Sequence, residues 1–304
     1  MKQKTLNGAF SLRGKGLHTG LHIGITFSPA PEGFGYRIRR TDLAGQPVVA
    51  AAAGSVVETE RGTVLSVGDV RVGTIEHGLA ALYACGIDNC LIEVDAPEFP
   101  ILDGSARAFV DGIRRAGVRE QAAERVYFAP GGMIEYRDEA SGAHLMLLPS
   151  DGFEVHVQIS FDSGVLSVQS AFLGSLEAFE REIAMCRTFV FVKEIEALVQ
   201  KGLIRGGDLD NAIVIYDSPL PQERLDRLAD LMGAERKDAG RPGYIMNSPL
   251  RFPNEPARHK ILDILGDVAL TGAFIRGKIV AVRPGHQVNN RFARAILDGM
   301  KRGM

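Results

Sequence analysis

The stretch EPARHKILDILGD, residues 255–267, sets one histidine, one lysine and two aspartates among mostly aliphatic neighbours. At roughly 100° per residue, His259, Asp263, Asp267 and Lys260 share one arc, and Ile261, Leu262, Ile264, Leu265, Val268 and Ala269 fill the opposite side. The pattern predicts an amphipathic helix over 255–271. Pro256 suits its first turn, where a missing donor is not needed, and Gly272 is its stop. His259 and Asp263 lie one turn apart, where two ligands of one metal ion would have to sit. Gly266, beside His259, leaves room for another element to come close. A polar arc is ordinarily a solvated face, so the helix by itself leaves both readings open.

The 304 residues, 45% of them hydrophobic, suffice for two domains. Strands and turns fill the chain to about residue 70. A helix follows in TIEHGLAALYACG, a strand in CLIEVDA and a helix in SARAFVDGIRRAG. The polar run VREQAAER, residues 118–125, reads as a linker. The order then recurs, with strands in GMIEYRD, HLMLLPS, FEVHVQISF and VQSAFL and a helix in LEAFEREIAM. TFVFVKEIEALVQKGLIRGGDLDNAIVIYD reads as strand, short helix, glycine-rich turn and strand. A connection through residue 246 leads to the 255–271 helix, the strand KIVAVRP and a last helix from Asn290. The expected fold is α+β: two domains of similar two-layer plan, residues 1–120 and 126–304. A βαβ insert at about 188–216 belongs to the second.

A formal net charge of −2, with no basic cluster interleaved with aromatics, argues against a nucleic-acid partner. The N-terminus lacks the apolar core of a signal peptide, and nowhere do about 18 apolar residues run together, so a cytoplasmic monomer without a transmembrane segment is expected. Cys85, Cys90 and Cys186 are odd in number and lack a zinc-pair spacing, which predicts free, mostly buried thiols. Any metal ligands must then come from histidines and carboxylates. His22, His144 and His156 alternate with apolar neighbours and read as strand-surface residues.

A catalytic zinc takes three protein ligands and keeps one position open, and the helix offers two. GTIEHGLAAL offers the third. With Thr74 as N-cap, Glu76 and His77 fall in the first turn, where the helix dipole favours an ionised Glu and a neutral His. The two point about 100° apart, so His77 would ligate and Glu76 would take a proton from water. A charged first turn that only caps is the competing reading. His286, in AVRPGHQVNN, follows a strand end and a Pro-Gly turn, a loop position suited to a catalytic side chain. Asp267, two turns from His259, is placed to orient such a histidine and raise its pKa.

In order and spacing, LRGKGLHTG, TIEHGLAALYACGIDNCLIEVDAPEFPILDGSA, CRTFVF, GGDLDNAIV, RHKILDILGD and RPGHQVNN resemble, across essentially the whole chain, the UDP-3-O-acyl-N-acetylglucosamine deacetylase family of lipid A biosynthesis, LpxC. The resemblance implies one catalytic zinc between two domains and an amphiphilic substrate carrying a nucleotide and a fatty acyl chain. Ferrous iron would suit the same ligand types. It implies His77, His259 and Asp263 as metal ligands, Glu76 as general base and His286 as its charged partner, oriented by Asp267. It further implies that Thr188 helps hold the carbonyl oxygen and that Lys260 engages the sugar diphosphate. Phe189 and Phe191 would lie near the hexose, with core packing as their alternative.

The short helix of the insert carries Ile195, Leu198 and Val199 on one side, followed by Leu203 and Ile204. With too little area for a core of its own, the insert should cover either the parent domain or a ligand. The resemblance implies an acyl passage through Ile195, Leu198 and Leu203. Gly62-Thr63 departs from the Cys-Thr of many members, and His18 matches a family segment without an assigned role. Residues 218–246 form a longer connection than the common enzyme has. Together with FDSGVLSVQSAF and NEPARHK it resembles the deacetylase half of fused deacetylase and dehydratase proteins. Only 18 residues follow His286, so no dehydratase domain is expected. A zinc peptidase would need an H-E-x-x-H helix, which the chain lacks. The rival from another class is a catalytically silent acyl-sugar-nucleotide binding protein.

Overall fold

The computed structural model describes residues 1–303. In the first half, β1 (Phe10–Lys15), β2 (His22–Pro29), β3 (Tyr36–Arg40), β4 (Val48–Ala50) and β5 (Cys90–Val94) form a sheet in the order β1-β2-β5-β3-β4. The helix α1 (Glu76–Ala84) precedes β5, and α2 (Arg107–Ala116) follows it. Alternation drives these strands: β2 buries Ile23, Ile25 and Phe27 on one face. Each such side chain contributes about 1.5–3 kcal/mol by leaving water.

The second half begins with β6 (Ile134–Asp138), β7 (Ala143–Leu148), β8 (Phe153–Ser160) and β9 (Val168–Leu173). The insert follows, with β10 (Phe189–Phe191), α3 (Val192–Gln200), β11 (Ile213–Tyr216), α4 (Gln222–Leu231) and β12 (Gly243–Ile245). The chain ends in α5 (Glu255–Ala269), β13 (Gly277–Val282) and α6 (His286–Arg302). The second sheet has the order β6-β7-β13-β8-β9. Its plan repeats the first. Each central strand is antiparallel to one neighbour, β2 or β7, and parallel to the other, β3 or β8. The helix α5 packs on β8, β9 and α1, and one apolar core runs through both halves.

Three expectations are corrected here. Residues 118–125 are not a linker, because Val118–Glu124 is a strand paired antiparallel with Lys2–Leu6. It is polar because this two-stranded ribbon leaves it largely exposed. The last helix starts at His286 rather than Asn290, with Gly285 in the cap position. The insert also reaches past residue 216, since β12 pairs with β11 and the 218–246 connection contributes α4. It has a small core of its own after all. Val192, Ile195, Leu198, Val214, Leu225 and Leu228 cluster on one face of its sheet, while Phe191, Ile213 and Ile215 join the main core on the other.

Candidate active site

The meeting of α1 with α5 makes the site. A Cβ at Gly266 would lie 2.3 Å from the Glu76 carbonyl oxygen, so only glycine lets the two backbones come this close. The first turn of α1 thereby sits on the polar stripe of α5. That stripe is not a solvated face: Glu255, His259, Asp263 and Asp267 are each at most 1% exposed. Ionisable groups buried this deeply persist only when paired or ligating.

His77, His259 and Asp263 each offer a ligand atom, and the three atoms lie within 4.8 Å of one another. His259 Nδ1 is 2.9 Å from the Cys186 carbonyl oxygen, which places a proton on Nδ1 and makes Nε2 the atom offered to the cluster. That Nε2 is 3.2 Å from Asp263 Oδ1. Asp263 Oδ1 and His77 Nδ1 are buried with no hydrogen-bond partner among the described residues. Burial, aided by His259, pushes His77 down to about 3, so its ring is neutral. Burial alone would raise Asp263, but Lys260, His259 and His286 hold it well below the usual carboxylate range. Lys260 Nζ sits 2.8 Å from Asp263 Oδ2. Two imidazole nitrogens and a carboxylate oxygen converging this closely fit a divalent cation of the zinc type.

Thr74 does not cap α1. Its backbone is left-handed (φ 54°), its hydroxyl donates to Glu98 Oε2, and Ile75 takes the cap position. Glu76 and His77 still fall in the first turn. The Thr63 N–H donates to Glu76 Oε2 at 3.1 Å. Burial raises Glu76 to about 7, against the opposing pull of His286. His286 Nδ1 lies 2.9 Å from Asp267 Oδ2, and its Nε2 lies 3.8 Å from Glu76 Oε1 and 3.9 Å from Asp263 Oδ2. Burial would lower His286, yet Asp267, Asp263 and Glu76 raise it to about 10. A helix N-terminus opposes a cation by only about 0.3–1 kcal/mol, so the carboxylates win and the ring is an imidazolium near neutral pH. Asp267 accepts further bonds from Thr63 Oγ1 at 2.5 Å and Asn289 Nδ2 at 2.9 Å. Sequence reasoning gave neither residue a role. Asn289, one turn beyond His286, carried the only signal.

The substrate-side expectations fare unequally. Thr188 is held from both sides: its N–H donates to Gly104, and its carbonyl accepts from Ile213, each at 2.8 Å. With Phe189, Leu198 and His18 it lines a small cavity. Lys260 Nζ stands 5.1 Å from the centre of the Phe189 ring. Phe191 is buried against Phe161, their rings 5.1 Å apart, in the main core. Ile195 faces a second cavity, and Leu203 is half-buried against the core of the insert. A Cβ at Gly62 would lie 3.1 Å from Glu76 Oε1 and 3.8 Å from His18 Nε2, which brings His18 to the edge of the site. An ion pair also escaped the sequence. Arg187, fully buried, meets Glu255 at 2.9 and 3.1 Å and so clamps the Cys186–Thr188 segment onto α5.

The sequence matches the family model for UDP-3-O-acyl N-acetylglycosamine deacetylase over residues 3–230 and 240–298. It is 58% identical over 300 residues to the bifunctional enzyme LpxC/FabZ of Porphyromonas gingivalis, covering 99% of this chain and 65% of that protein. The bifunctional enzyme LpxC/FabZ of Bacteroides thetaiotaomicron is 55% identical over 294 residues, 97% of this chain and 64% of the relative. The UDP-3-O-acyl-N-acetylglucosamine deacetylase of an Anaeromyxobacter species is 40% identical over 296 residues, 97% of this chain and 88% of that one. The chain thus spans just under two thirds of the length of the two bifunctional relatives.

Proposed function

The chain belongs to the UDP-3-O-acyl N-acetylglycosamine deacetylase family, and from that premise we propose that it hydrolyses the N-acetyl group of a UDP-3-O-acyl-N-acetylglucosamine. The products are acetate and a free 2-amino sugar, and the step belongs to lipid A biosynthesis. What carries this reading is the pair of unpartnered atoms, His77 Nδ1 and Asp263 Oδ1, buried beside Glu76 and an imidazolium at His286. His77, His259 and Asp263 hold one ion, zinc in our reading, with ferrous iron suited to the same donors. When bound, that ion supplies Lewis acidity to the amide carbonyl and to water.

Glu76 is the general base, its carboxyl poised near neutrality by burial, and it accepts a proton from the attacking water. His286, held by Asp267, and the Thr188 hydroxyl face the oxygen on which negative charge develops. The amine leaves after accepting a proton. Lys260 engages the sugar diphosphate, Phe189 bounds the hexose side while Phe191 packs in the core, and Ile195, Leu198 and Leu203 belong to the acyl passage. Each buried methylene is worth at most about 0.8 kcal/mol, so a long chain supplies enough to position the acetamide as well as to bind.

We take the chain to act in the cytoplasm, as a monomer and without nucleic acid. Its net charge is −2, and no helix among the described residues is long and apolar enough to cross a membrane. The test is acetate release from the acylated sugar nucleotide, with and without chelator. Chelator-sensitive release is expected. Substrate binding without any release would mark a silent binding protein instead.

A further inference from the structure

Thr63 is fully buried and lies at the end of the turn that joins two antiparallel strands, Val56–Glu58 and Val64–Val67. Among the described residues it alone hydrogen-bonds both Glu76 and Asp267. Its N–H donates to Glu76 Oε2 at 3.1 Å, and its hydroxyl donates to Asp267 Oδ1 at 2.5 Å. Asp267 Oδ2 takes two donors from α6, His286 Nδ1 and Asn289 Nδ2, each at 2.9 Å. The two oxygens of Asp267 are thus held from different halves of the molecule. With Oε2 of Glu76 engaged, Oε1 is left facing His286 Nε2, 3.8 Å away. One residue therefore fixes both sides of that gap. The turn is itself anchored at its base and its tip. Arg294 of α6 donates to the Val56 carbonyl at 3.2 Å. At the tip, Arg61 pairs with Glu194 of α3, and Glu60 pairs with Lys201 just past the end of α3. Arg61 takes a left-handed backbone (φ 61°), and a Cβ at Gly62 would lie 3.1 Å from Glu76 Oε1, so the tip is bent tightly against the carboxylate.

We propose that Thr63 is a positioning residue that sets Glu76 and His286 against each other, and that the Arg61–Glu194 pair passes the seating of the insert on to it. The proposal rests on the deacetylase reading and adds to it a link between the insert and the groups that move protons. A buried carboxylate oxygen deprived of its donor turns to recover one. Asp267 in turning takes His286 with it, and a misplacement of about 1 Å can cost about 10²-fold in rate. Being fully buried, Thr63 offers no surface to substrate, so the effect falls on kcat and spares KM.

The experiment measures kcat and KM on the metal-loaded enzyme for wild type, Thr63→Val, Thr63→Ser and Arg61→Gln, with a proton NMR spectrum of each. Thr63→Val keeps the N–H and the shape but loses the hydroxyl, and should lower kcat by about tenfold to 10²-fold with KM and bound metal unchanged. Thr63→Ser restores the hydroxyl and should return kcat to within about threefold of wild type. Arg61→Gln should lower kcat by about threefold, and that loss should disappear in the Thr63→Val background, because both act through one residue. Full kcat in Thr63→Val, or no recovery in Thr63→Ser, overturns the positioning role, and additive losses overturn the link to the insert. Thr63→Ala takes the place of Thr63→Val if urea unfolding shows that the latter does not fold. No acetate from wild type overturns the deacetylase reading instead. The low-field N–H resonance of the His286–Asp267 hydrogen bond, identified by its absence in His286→Gln, then decides the positioning role without turnover. It should persist in Thr63→Ser and be broadened or lost in Thr63→Val, and an unchanged resonance there overturns the proposal.

Discussion

In the first half of the molecule the helix ahead of the central strand, α1, has nine residues and carries its only carboxylate and histidine in its first turn. Its counterpart in the second half, α5, has 15 residues and carries Glu255, His259, Asp263 and Asp267 along one buried stripe. The helices after the central strands diverge in the same way. Arg107 opens α2 and pairs with Asp111 at a partly exposed position, whereas His286 opens α6 against the buried Asp267. The same connectivity is used twice, and it places helix starts and stripes without deciding their chemistry. That is decided by which side chains the opposing half buries. The first half supplies Glu76, His77 and Thr63 and the second supplies the rest, so neither half alone holds the ligand set.

Several substitutions can break or sharpen this division. The largest effect is expected from replacing His259 and Asp263 together by alanine: metal analysis should show the ion gone, and acetate release should fall to the chelated level. Full activity without bound metal would sink the site. Next, Glu76→Gln should keep the metal while kcat falls by about 10² to 10⁴. If the ion leaves instead, Glu76 is a ligand and the first half contributes two.

Asp267→Asn addresses pH. In wild type, kcat/KM should rise as Glu76 ionises, near 7, and fall as His286 loses its proton, near 10, with a bound cation lowering both limbs. The variant removes the largest upward pull on His286, so its alkaline limb should move to lower pH. Stability follows the same group. A histidine raised from an ordinary 6.5 to about 10 stabilises the fold fully below 6.5 and ceases to as pH climbs through 10. Denaturant titrations across that window should show less pH dependence in the variant, and an alkaline limb that stays put would mean another group governs it.

Gly266→Ala should cost about 1–3 kcal/mol in denaturant unfolding and weaken metal binding, because its methyl meets the Glu76 carbonyl. Unaltered stability and affinity would mean that α1 and α5 do not need this approach. The smallest effect belongs to Arg107→Ala, the formal counterpart of His286, which should change stability by less than about 1 kcal/mol and leave acetate release nearly untouched. A large loss there would place the start of α2 in the site and undo the contrast.

Much of this was legible from pattern alone, and the failures have physical reasons. The apolar side of α5 and the spacing of His259, Asp263 and Asp267 could be read directly. That their arc is covered could not, since a stripe facing solvent and one facing another helix have the same periodicity. The pairing of Val118–Glu124 with Lys2–Leu6 joins two polar stretches far apart in the chain, neither of them alternating. The start of α6 was missed because Gly285 has no side chain with which to announce a cap. Thr74 looked like a cap, but its hydroxyl serves Glu98 in a left-handed turn. The Arg187–Glu255 pair had no local signature at all. The extent of the insert hid in α4, whose apolar face found its partners only across the folded unit.

The split of the ligands between α1 and α5 has a polymer consequence. An ion held by His77 and His259 closes a loop of roughly 180 residues, the kind of tie that most reduces the freedom of an unfolded chain. The three cysteines are free thiols, so among the described residues no covalent staple does that work, and ion binding and the docking of the two halves become one thermodynamic event. Melting temperature should therefore follow free metal concentration, and stripping the ion should speed amide exchange first along the facing surfaces of α1 and α5.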